Sequence, residues 1–399
     1  MKILFFQAYY SPENTATTYI TDDLIQGMID NGHQVELFVP TPTRGITREI
    51  RDEYRKKKYR YEVKNNGKLI IHRIGLYDEP KGTIGRMIRY LLMNMLFILK
   101  SLSIKADVIF CESTPPTQGA MAAIIKQIKK IPFIYNLQDV FPDSLITTGI
   151  GKRNSIAWKV GRRIEDFSYR YSDSIITISN EFEENIIAKG VDPQKITVVN
   201  NWADTDEIVP VDRKENVLFD RFNLDRNGFY VVYSGNIGLT QNMELLIRVA
   251  EDMTDVDFVV IGDGVAREDT QNKTKHLKNF HMFPYQPYED ISMVFSLGDA
   301  GLVISKPEVG NSCVPSKTWG IMAAGRPVIA SFDLESSLVA MINRVGCGVV
   351  AAAGDREALI RAIRNIRPEM GIVGRDYVLR ELNREKCVGK YMDVFSLYE

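Results

Sequence analysis

Short runs of β-branched and aromatic residues alternate along the whole chain with longer segments that have a helical period. Such continuous apolar runs are typical of strands buried on both faces of a parallel sheet, and the segments between them are typical of the covering helices. The alternation restarts in mid-chain, so it predicts an α/β protein with two doubly wound, Rossmann-like domains. The predicted strands are Lys2–Phe6, Gln34–Val39, Leu69–Ile74, Val108–Cys111, Phe133–Asn136, Ser174–Ile178 and Ile196–Val199 in the first half, and Tyr230–Ser234, Asp257–Ile261, Asn279–Phe283, Ala300–Ile304, Pro327–Ala330 and Gly348–Val350 in the second.

The segment between the two halves, Asn200–Asp212, is rich in Asp, Asn and Pro and lacks periodicity, which indicates a surface linker. We therefore predict a first domain over residues 1–203 and a second over residues 204–375. The last segment, 376–399, predicts helices that end in an aromatic patch and can cross back to the first domain.

Composition narrows the class of protein. With 45% hydrophobic and 25% charged residues, the chain is neither collagen-like nor disordered. The four cysteines are far apart, which predicts free thiols in a reducing cytoplasm. The start lacks the pattern of a secretory leader, and the longest apolar stretch, Leu91–Leu99, falls well short of the ~20 residues that span a bilayer. The formal net charge of −1 excludes bulk attraction to nucleic acid.

Two glycine-containing turns follow strands predicted for the second half. Gly235-Asn236-Ile237-Gly238 follows Tyr230–Ser234, and Gly262-Asp263-Gly264 follows the next strand. In open α/β sheets ligands bind beyond the carboxyl ends of the strands, where backbone N–H groups at a helix start can hold phosphate. Tight turns without a ligand have the same pattern, so both interpretations stand.

A lysine stands where a helix begins. Pro315 ends a loop, Ser316 has the position of an N-cap, and Lys317 falls in the first helical turn. The helix dipole disfavours a cation there unless an anion lies between them, and a diphosphate held by Lys317, the Ser316 hydroxyl and the backbone is such an anion. The alternative is a solvated lysine that offsets Glu308 across the loop.

The near-neutral total conceals a basic segment. Residues 44–105 contain 16 Lys or Arg and 6 Asp or Glu, a local net charge of +10. Residues 81–105 interleave Met, Leu, Ile and Phe with cations, which is typical of a helix that lies on an anionic membrane. The alternative is a buried helix preceded by a solvated basic loop, and no recognition motif supports nucleic-acid binding.

Six separated motifs occur along the chain. Through these motifs and their order, the chain resembles family 4 glycosyltransferases of the two-domain type called GT-B over nearly its whole length. The combination is similar to the branch with bacterial L-fucosamine transferases and other amino-sugar transferases of O-antigen and capsule synthesis. The motifs are Pro12-Glu13-Asn14, DVFPDS (Asp139–Ser144), VVNNWAD (Val198–Asp204), YSGNIG (Tyr233–Gly238), IGDG (Ile261–Gly264) and VPSK with AAGRPVIA (Val314–Ala330).

The resemblance implies retaining, metal-independent transfer of a sugar from a nucleotide donor, UDP-sugar first among them. The donor would bind the second domain and the acceptor the first, and transfer would occur in the cleft between them, with a lipid-linked saccharide as the expected acceptor at the inner face of the plasma membrane. No cofactor is expected. We assign catalytic contacts to Lys317 and Asp139; donor contacts to Gly235, Asn236, Gly238, Gly262, Asp263, Glu308, Ser316 and Lys317; and acceptor contacts to Glu13, Asn14, Gln138 and Asp143.

The chain departs from the family pattern at three places. Gly320 stands where many members have the glutamate that holds the ribose, and Ser312 stands at a second glutamate position eight residues earlier. Asn236 replaces an arginine, which leaves Lys317 as the main cation for the diphosphate. Gln138 replaces a histidine, and an amide cannot act as a general acid.

Other interpretations stay open. Pro142-Asp143 also suits a plain helix start. A sugar-nucleotide epimerase can have the same double-Rossmann architecture, and a non-catalytic homologue would bind UDP without transfer. Asp204-Thr205-Asp206 has the DxD pattern that binds manganese in other glycosyltransferases, but it lies in the predicted linker, so no metal site is predicted. The four histidines lack ligand spacing.

Overall fold

The computed structural model of the protein describes residues 1–13, 18–80, 82–143, 146, 152, 154–309 and 315–399. The chain forms two compact units, residues 1–200 with 387–399, and residues 201–386. The first boundary therefore follows Asn200 and the second follows Lys386, whereas the sequence places them at 203 and 375.

The first unit is an eight-stranded sheet in the order β3-β4-β2-β1-β5-β6-β7-β8. All neighbours are parallel except the edge strand β3, which is antiparallel to β4. The strand order reverses at β1. Its strands are β1 (Lys2–Phe6), β2 (Gln34–Pro40), β3 (Tyr61–Lys64), β4 (Leu69–Ile74), β5 (Val108–Glu112), β6 (Phe133–Leu137), β7 (Ser174–Thr177) and β8 (Ile196–Val198), and its helices are α1 (Thr18–Asp30), α2 (Arg48–Tyr54), α3 (Thr83–Ser101), α4 (Thr117–Lys129), α5 (Ile156–Tyr171), α6 (Asn180–Ala188) and most of α15 (Arg384–Ser396).

The second unit is a six-stranded, all-parallel sheet in the order β11-β10-β9-β12-β13-β14, which reverses at β9. This is the Rossmann order 3-2-1-4-5-6. Its strands are β9 (Tyr230–Ser234), β10 (Asp257–Ile261), β11 (Phe280–Phe283), β12 (Ala300–Ile304), β13 (Val328–Phe332) and β14 (Gly348–Ala352), and its helices are α7 (Leu218–Arg221), α8 (Met243–Asp252), α9 (Arg267–Thr274), α10 (Ile291–Ser296), α11 (Lys317–Ala323), α12 (Ser337–Val345), α13 (Arg356–Arg364) and α14 (Glu369–Glu381). The predicted fold class, two doubly wound α/β units, is confirmed.

The strands form where the sequence supplies continuous apolar runs. All five residues of β5 and of β12 are buried, as expected for strands covered on both faces. Helix ends carry ordinary caps: the Ser155 hydroxyl accepts the N–H of Trp158 at the start of α5, and Gly346, with φ of 73°, ends α12.

Strand β3 was not predicted. It lies within the basic segment, and both Tyr61 and Val63 are more than half exposed. An antiparallel edge strand needs no continuous apolar run, so its sequence has the polarity of a loop.

The aromatic residues near the C-terminus pack on the first sheet. The ring centres of Phe395 and Phe110 are 5.4 Å apart, and the Tyr391 hydroxyl donates to Oδ1 of Asn136 at 3.1 Å. The Tyr398 and Ser174 hydroxyls are hydrogen-bonded at 2.6 Å. Helix α15 thus supplies part of the first unit's core, while α14 stays with the second unit.

Candidate functional site

The carboxyl edge of the second sheet holds the candidate donor site. The strand order reverses at β9, with β10 on one side and β12 on the other. Ligands of open α/β sheets bind at such a reversal, because the loops leaving the two sides diverge and open a crevice. The loop after β9 contains Gly235–Gly238, and the loop after β10 contains Gly262–Gly264.

These two loops are bonded to each other. The N–H of Gly235 donates to the carbonyl of Ile261 at 2.9 Å, and the N–H of Ile237 donates to the carbonyl of Asp263 at 2.8 Å. A Cβ atom on Gly262 would lie 1.9 Å from the carbonyl oxygen of Gly235. The close approach of the two backbones therefore requires glycine at position 262.

Lys317 reaches this reversal point from the start of α11. Its ammonium lies 3.6 Å from the ring centre of Tyr233, and a Cβ atom on Gly235 would lie 3.0 Å from its Nζ. The Tyr233 hydroxyl in turn donates to the carbonyl of Asn236 at 2.5 Å. The structure therefore brings together Lys317, Gly235 and Asn236, which the sequence assigns to the donor. A cation on an aromatic face, half-buried beside a glycine loop, is well placed to receive a phosphate.

Ser316 does not act as predicted at the helix start. It occupies the N-cap position in helical conformation, but its exposed side chain makes no capping hydrogen bond. Instead the Thr318 hydroxyl donates to the carbonyl of Pro315 at 2.8 Å. The predicted N-cap position is confirmed, but the hydroxyl does not cap the helix, because a side-chain cap needs an extended backbone at that position. The exposed hydroxyl keeps its predicted place beside Lys317.

The remaining predicted donor residues are engaged to different degrees. The N–H of Gly238 donates to Oε1 of Gln241 at 3.0 Å, and Oδ1 of Asp263 accepts the N–H of Gly264 at 2.8 Å. Glu308 is exposed, has a positive φ of 67°, and its N–H donates to Oδ1 of Asp333 at 2.9 Å.

Gly320 cannot be replaced by the glutamate of the family pattern without rearrangement. It is buried, and a Cβ atom there would lie 2.6 Å from the ring of Phe295. The Phe295 ring fills the space beside α11 that a larger side chain at position 320 would need. Ser312, the other departure, lies outside the described residues.

Two serines at the same edge were missed by the sequence reasoning. Ser305 directly follows β12 and Ser331 lies near the end of β13; they are 3 and 0% exposed. Neither hydroxyl has a hydrogen-bond partner among the residues that the structure describes. Buried polar groups are normally paired, so two unpaired hydroxyls at one edge are unusual. The only sequence signal is that each serine stands at the carboxyl end of an apolar strand.

On the first unit, the residues around Gln138 form a connected network. The Ser113 hydroxyl accepts the N–H groups of both Gln138 and Asp139 at 3.0 Å, and the Gln138 amide donates to Oδ1 of Asn136 at 3.1 Å. This fixes the loop after β6 at the carboxyl edge, where the sequence places it.

Asp143 is held by neighbours of its own unit. Its carboxylate lies 2.8 Å from Nζ of Lys189 and accepts a hydrogen bond from Asn185 at 3.2 Å. Burial acts to raise the pKa of Asp143, but the bond from Lys189 and its charge outweigh burial and lower the pKa. This arrangement favours a structural role.

Glu13 is likewise enclosed. It is 2% exposed, and Oε1 accepts the N–H groups of Thr43 and Arg44 at 2.7 and 2.8 Å. Burial raises its pKa against these backbone bonds. The carboxylate thus fixes the loop after β2. Asn14, predicted beside it, lies outside the described residues.

Asp204, the first acidic residue of the DxD pattern in the predicted linker, is also engaged. Asp204 accepts the hydroxyl of Tyr288 at 2.8 Å and the N–H of Glu207 at 3.1 Å. Within the described ranges, no three His, Cys, Asp or Glu side chains are grouped to hold a metal ion. In the same part of the chain, no helix combines the length and apolarity needed to cross a bilayer.

Comparison with known proteins identifies similar chains. The putative colanic acid biosynthesis glycosyl transferase WcaI of Escherichia coli (strain K12) is 24% identical over 410 residues, covering 98% of this chain and 99% of WcaI. The probable glycosyltransferase WbjE of Pseudomonas aeruginosa is 25% identical over 292 residues, covering 71% of this chain and 72% of WbjE. Anabaena Alr3699/HepE, solved with UDP, superposes with a TM-score of 0.74 at 12% identity, covering 99% of this chain and 100% of that one.

Family models match both units. The model for Glycosyltransferase Family 4 matches residues 18–207, and the model for Glycosyl transferases group 1 matches residues 228–367. The two Rossmann-like units and these matches define a GT-B glycosyltransferase. More particularly, the chain joins a family 4 glycosyltransferase domain to a group 1 glycosyltransferase domain.

Proposed function

We propose that the protein is a retaining glycosyltransferase that moves a sugar, N-acetylated amino or deoxy in kind, from UDP to a lipid-linked saccharide in surface polysaccharide synthesis. The observation that carries the proposal is the position of Lys317, over the Tyr233 ring and beside Gly235, at the reversal point of the second sheet. The preference for UDP is supported by HepE, which has been solved with UDP and with UDP-glucose.

Lys317 would act on the leaving diphosphate. As the bond to the anomeric carbon breaks, negative charge grows on the diphosphate, and a fixed ammonium stabilises that charge without reorganising at the moment of reaction. The Ser316 hydroxyl and the N–H groups of the Gly235 loop would add hydrogen bonds. A lysine in this position supplies the positive charge that other glycosyltransferases take from a metal ion, so we propose a metal-independent reaction.

Retention is proposed on the resemblance to family 4 glycosyltransferases. Because no nucleophile is assigned in the proposed site, a covalent sugar–enzyme intermediate is not part of the proposal. We propose a front-face substitution, in which the departing phosphate oxygen takes the proton of the acceptor hydroxyl. On the first unit, Asp139 would bind that hydroxyl; its N–H is fixed by Ser113.

The exposed face of α3 supports a lipid-linked acceptor at the inner face of the membrane. Six apolar residues spaced three or four positions apart lie on this face and are 49 to 72% exposed, although Met93 and Phe97 on the other face are fully buried. Helical spacing places them in one line. We call this line the α3 stripe; its members are Ile84, Met87, Ile88, Leu91, Met95 and Leu99. An apolar line in a basic segment suits an anionic bilayer.

A donor screen tests the proposal directly. Thermal unfolding with UDP-, GDP- and dTDP-sugars should show a rise in melting temperature with UDP-sugars, because a ligand that binds only the native state stabilises it. Lys317→Ala should lower transfer by about 100-fold or more, the usual effect of removing a fixed donor to developing negative charge.

The matched control is Lys278→Ala, at an exposed lysine before β11 on the opposite edge of the same sheet. It should transfer at the native rate. Unchanged turnover in Lys317→Ala would exclude the assigned role. A new sugar formed from UDP-sugar without acceptor would indicate an epimerase, and UDP binding without transfer to any acceptor would indicate a non-catalytic homologue.

A further inference from the structure

Arg89 is a buried cation with unused hydrogen-bonding capacity. It lies on α3, is 0% exposed, and its Nε donates to the carbonyl of Tyr77 at 3.1 Å. Neither Nη1 nor Nη2 has a hydrogen-bond partner in the described part of the chain. Burying a charge without partners costs free energy, so an unpaired guanidinium at such depth would be stabilised by an anion.

The carboxylate of Glu13 does not fill this role. The charge of Arg89 acts on Glu13, where it opposes the rise in pKa that burial causes. The oxygens of Glu13, however, already accept the N–H groups of Thr43, Arg44 and Tyr10. Glu13 therefore reduces the electrostatic cost of burying Arg89, but both terminal amino groups stay buried without a hydrogen bond in the described part of the chain.

A cavity lies beside the first half of α3. It has a volume of about 430 Å³ and is lined by Thr41, Tyr54, Arg55, Arg60, Tyr77 and Leu92, with adjoining backbone. Thr41 follows β2, so the cavity lies at the carboxyl edge of the first sheet. Arg89 is not itself a lining residue but lies behind two of them: its Nε donates to the carbonyl of Tyr77, and it precedes Leu92 by about one helical turn.

The charges of the cavity suit an anionic ligand. Arg55 is paired with Asp78 at 2.7 Å, whereas exposed Arg60 forms no ion pair with any residue that the structure describes. Nearby, Nε of Arg51 and the Thr43 hydroxyl are also buried without partners among the described residues. The planar fork of a guanidinium binds phosphate or carboxylate oxygens through two parallel hydrogen bonds.

We propose that Arg89, with Arg60 and Arg55, forms an anion subsite for the diphosphate of the lipid-linked acceptor. The inference rests on the proposed function. Arg89 and the α3 stripe are on one helix, with the guanidinium on the buried side and the stripe on the exposed side. The diphosphate of such an acceptor joins an apolar chain to a sugar. A helix that has an apolar outer face and a buried cation offers contacts to both the apolar chain and the diphosphate.

The test uses the full-length protein saturated with UDP, so that the donor site is occupied. Titration calorimetry with geranyl diphosphate, a soluble lipid diphosphate, should show binding to the native protein. Arg89→Met should weaken that binding at least about tenfold. Because the variant removes a buried charge that lacks partners, its melting temperature without ligand should equal or exceed the native value.

Arg86→Gln is the matched control, since Arg86 is an exposed arginine on the same helix. It should bind geranyl diphosphate as the native protein does. If Arg89→Met does not fold, Arg60→Gln gives the same test at an exposed position, with the same expected direction.

Three results would overturn the inference: no binding of geranyl diphosphate by the UDP-saturated native protein, native affinity in Arg89→Met, or equal losses in Arg89→Met and Arg86→Gln. Methyl glucuronide serves as the second probe. Binding of it in place of the diphosphate would assign the subsite to an acidic sugar and contradict the diphosphate. Failure of UDP itself to bind is observed in a separate first titration, which tests the proposed donor and not this subsite.

Discussion

At the scale of single residues, each unit has buried polar groups at the carboxyl edge of its sheet. Glu112 ends β5 and is 6% exposed, and Ser331 near the end of β13 is 0% exposed. Each unpaired buried polar group costs about 1–3 kcal/mol. The Ser331 hydroxyl is such a group among the described residues, and it lies at the edge where Rossmann-like sheets bind ligands.

The free-energy cost of burying the Glu112 carboxylate can be measured from the pH dependence of stability. Burial raises its pKa from the ordinary 4.5 to about 7, although a hydrogen bond from Gln7 acts in the opposite direction. The folded state thus holds the proton more tightly than the unfolded state. The stabilising contribution of Glu112 is therefore fully present below about pH 4.5 and is lost as the pH rises through about 7.

We predict that Glu112→Gln raises the stability at pH 8 by up to about 3 kcal/mol relative to the native chain, and changes it much less at pH 5. Thermal unfolding at both pH values measures this. Glu184→Gln, at an exposed position on α6, is the control and should leave the pH dependence as it is. Equal pH dependence in the native chain and Glu112→Gln would contradict the raised pKa.

At the scale of elements, the central strands were predictable from the sequence because burial on both faces leaves a continuous apolar run. Lys2–Phe6, Leu69–Ile74 and Tyr230–Ser234 match the observed strands residue for residue. Prediction failed at β3, where an edge position removes that constraint. It was inexact at β13, which continues through Ser331 and Phe332 past the predicted end.

The part of the candidate site that lies in loops between strands and helices could be predicted from the sequence. Gly235 and Lys317 lie where strands end and helices begin, and the fold class alone brings such loops to one edge. Ser305 and Arg89 were not predicted, because the sequence does not show whether a serine or arginine is buried without hydrogen-bond partners. The engagement of Glu13 with the loop after β2 depends on a distant segment and is equally hidden.

Helix α3 gives a test at this scale. Its apolar residues occur on all sides, so the sequence left open a buried helix and a membrane-facing one. The structure shows one buried face and one exposed face, the α3 stripe. We predict that Leu91→Glu with Met95→Glu reduces co-flotation with phosphatidylglycerol vesicles at least about tenfold, since lipid contact gains ~0.8 kcal/mol for each buried CH₂.

Both substituted positions are about half exposed, so folding should be unaffected. The matched control is Ile372→Glu on α14 of the second unit, which replaces a residue that is 64% exposed. It should float as the native protein does. Native protein that stays unbound at low salt, or a double variant that floats undiminished, would show that the stripe does not contact lipid.

At the scale of the whole molecule, the chain leaves the first unit after Asn200 and returns to it at Cys387. The returning segment supplies Tyr391 and Phe395, both fully buried, to the first unit's core. The first unit is thus completed by the last residues of the chain, whereas the second unit is continuous in sequence.

This connectivity predicts that damage to the C-terminal helix acts on one unit. Phe395→Ala should lower the stability of the first unit by about 3–5 kcal/mol, because it leaves a cavity against Phe110. Hydrogen exchange followed by mass spectrometry resolves the units, with faster exchange expected in β5 and unchanged exchange in β12. Leu397→Ala, at a residue 71% exposed, should change neither. Equal acceleration in both strands would instead show that the two units unfold together, and that the returning helix stabilises the molecule as one cooperative body.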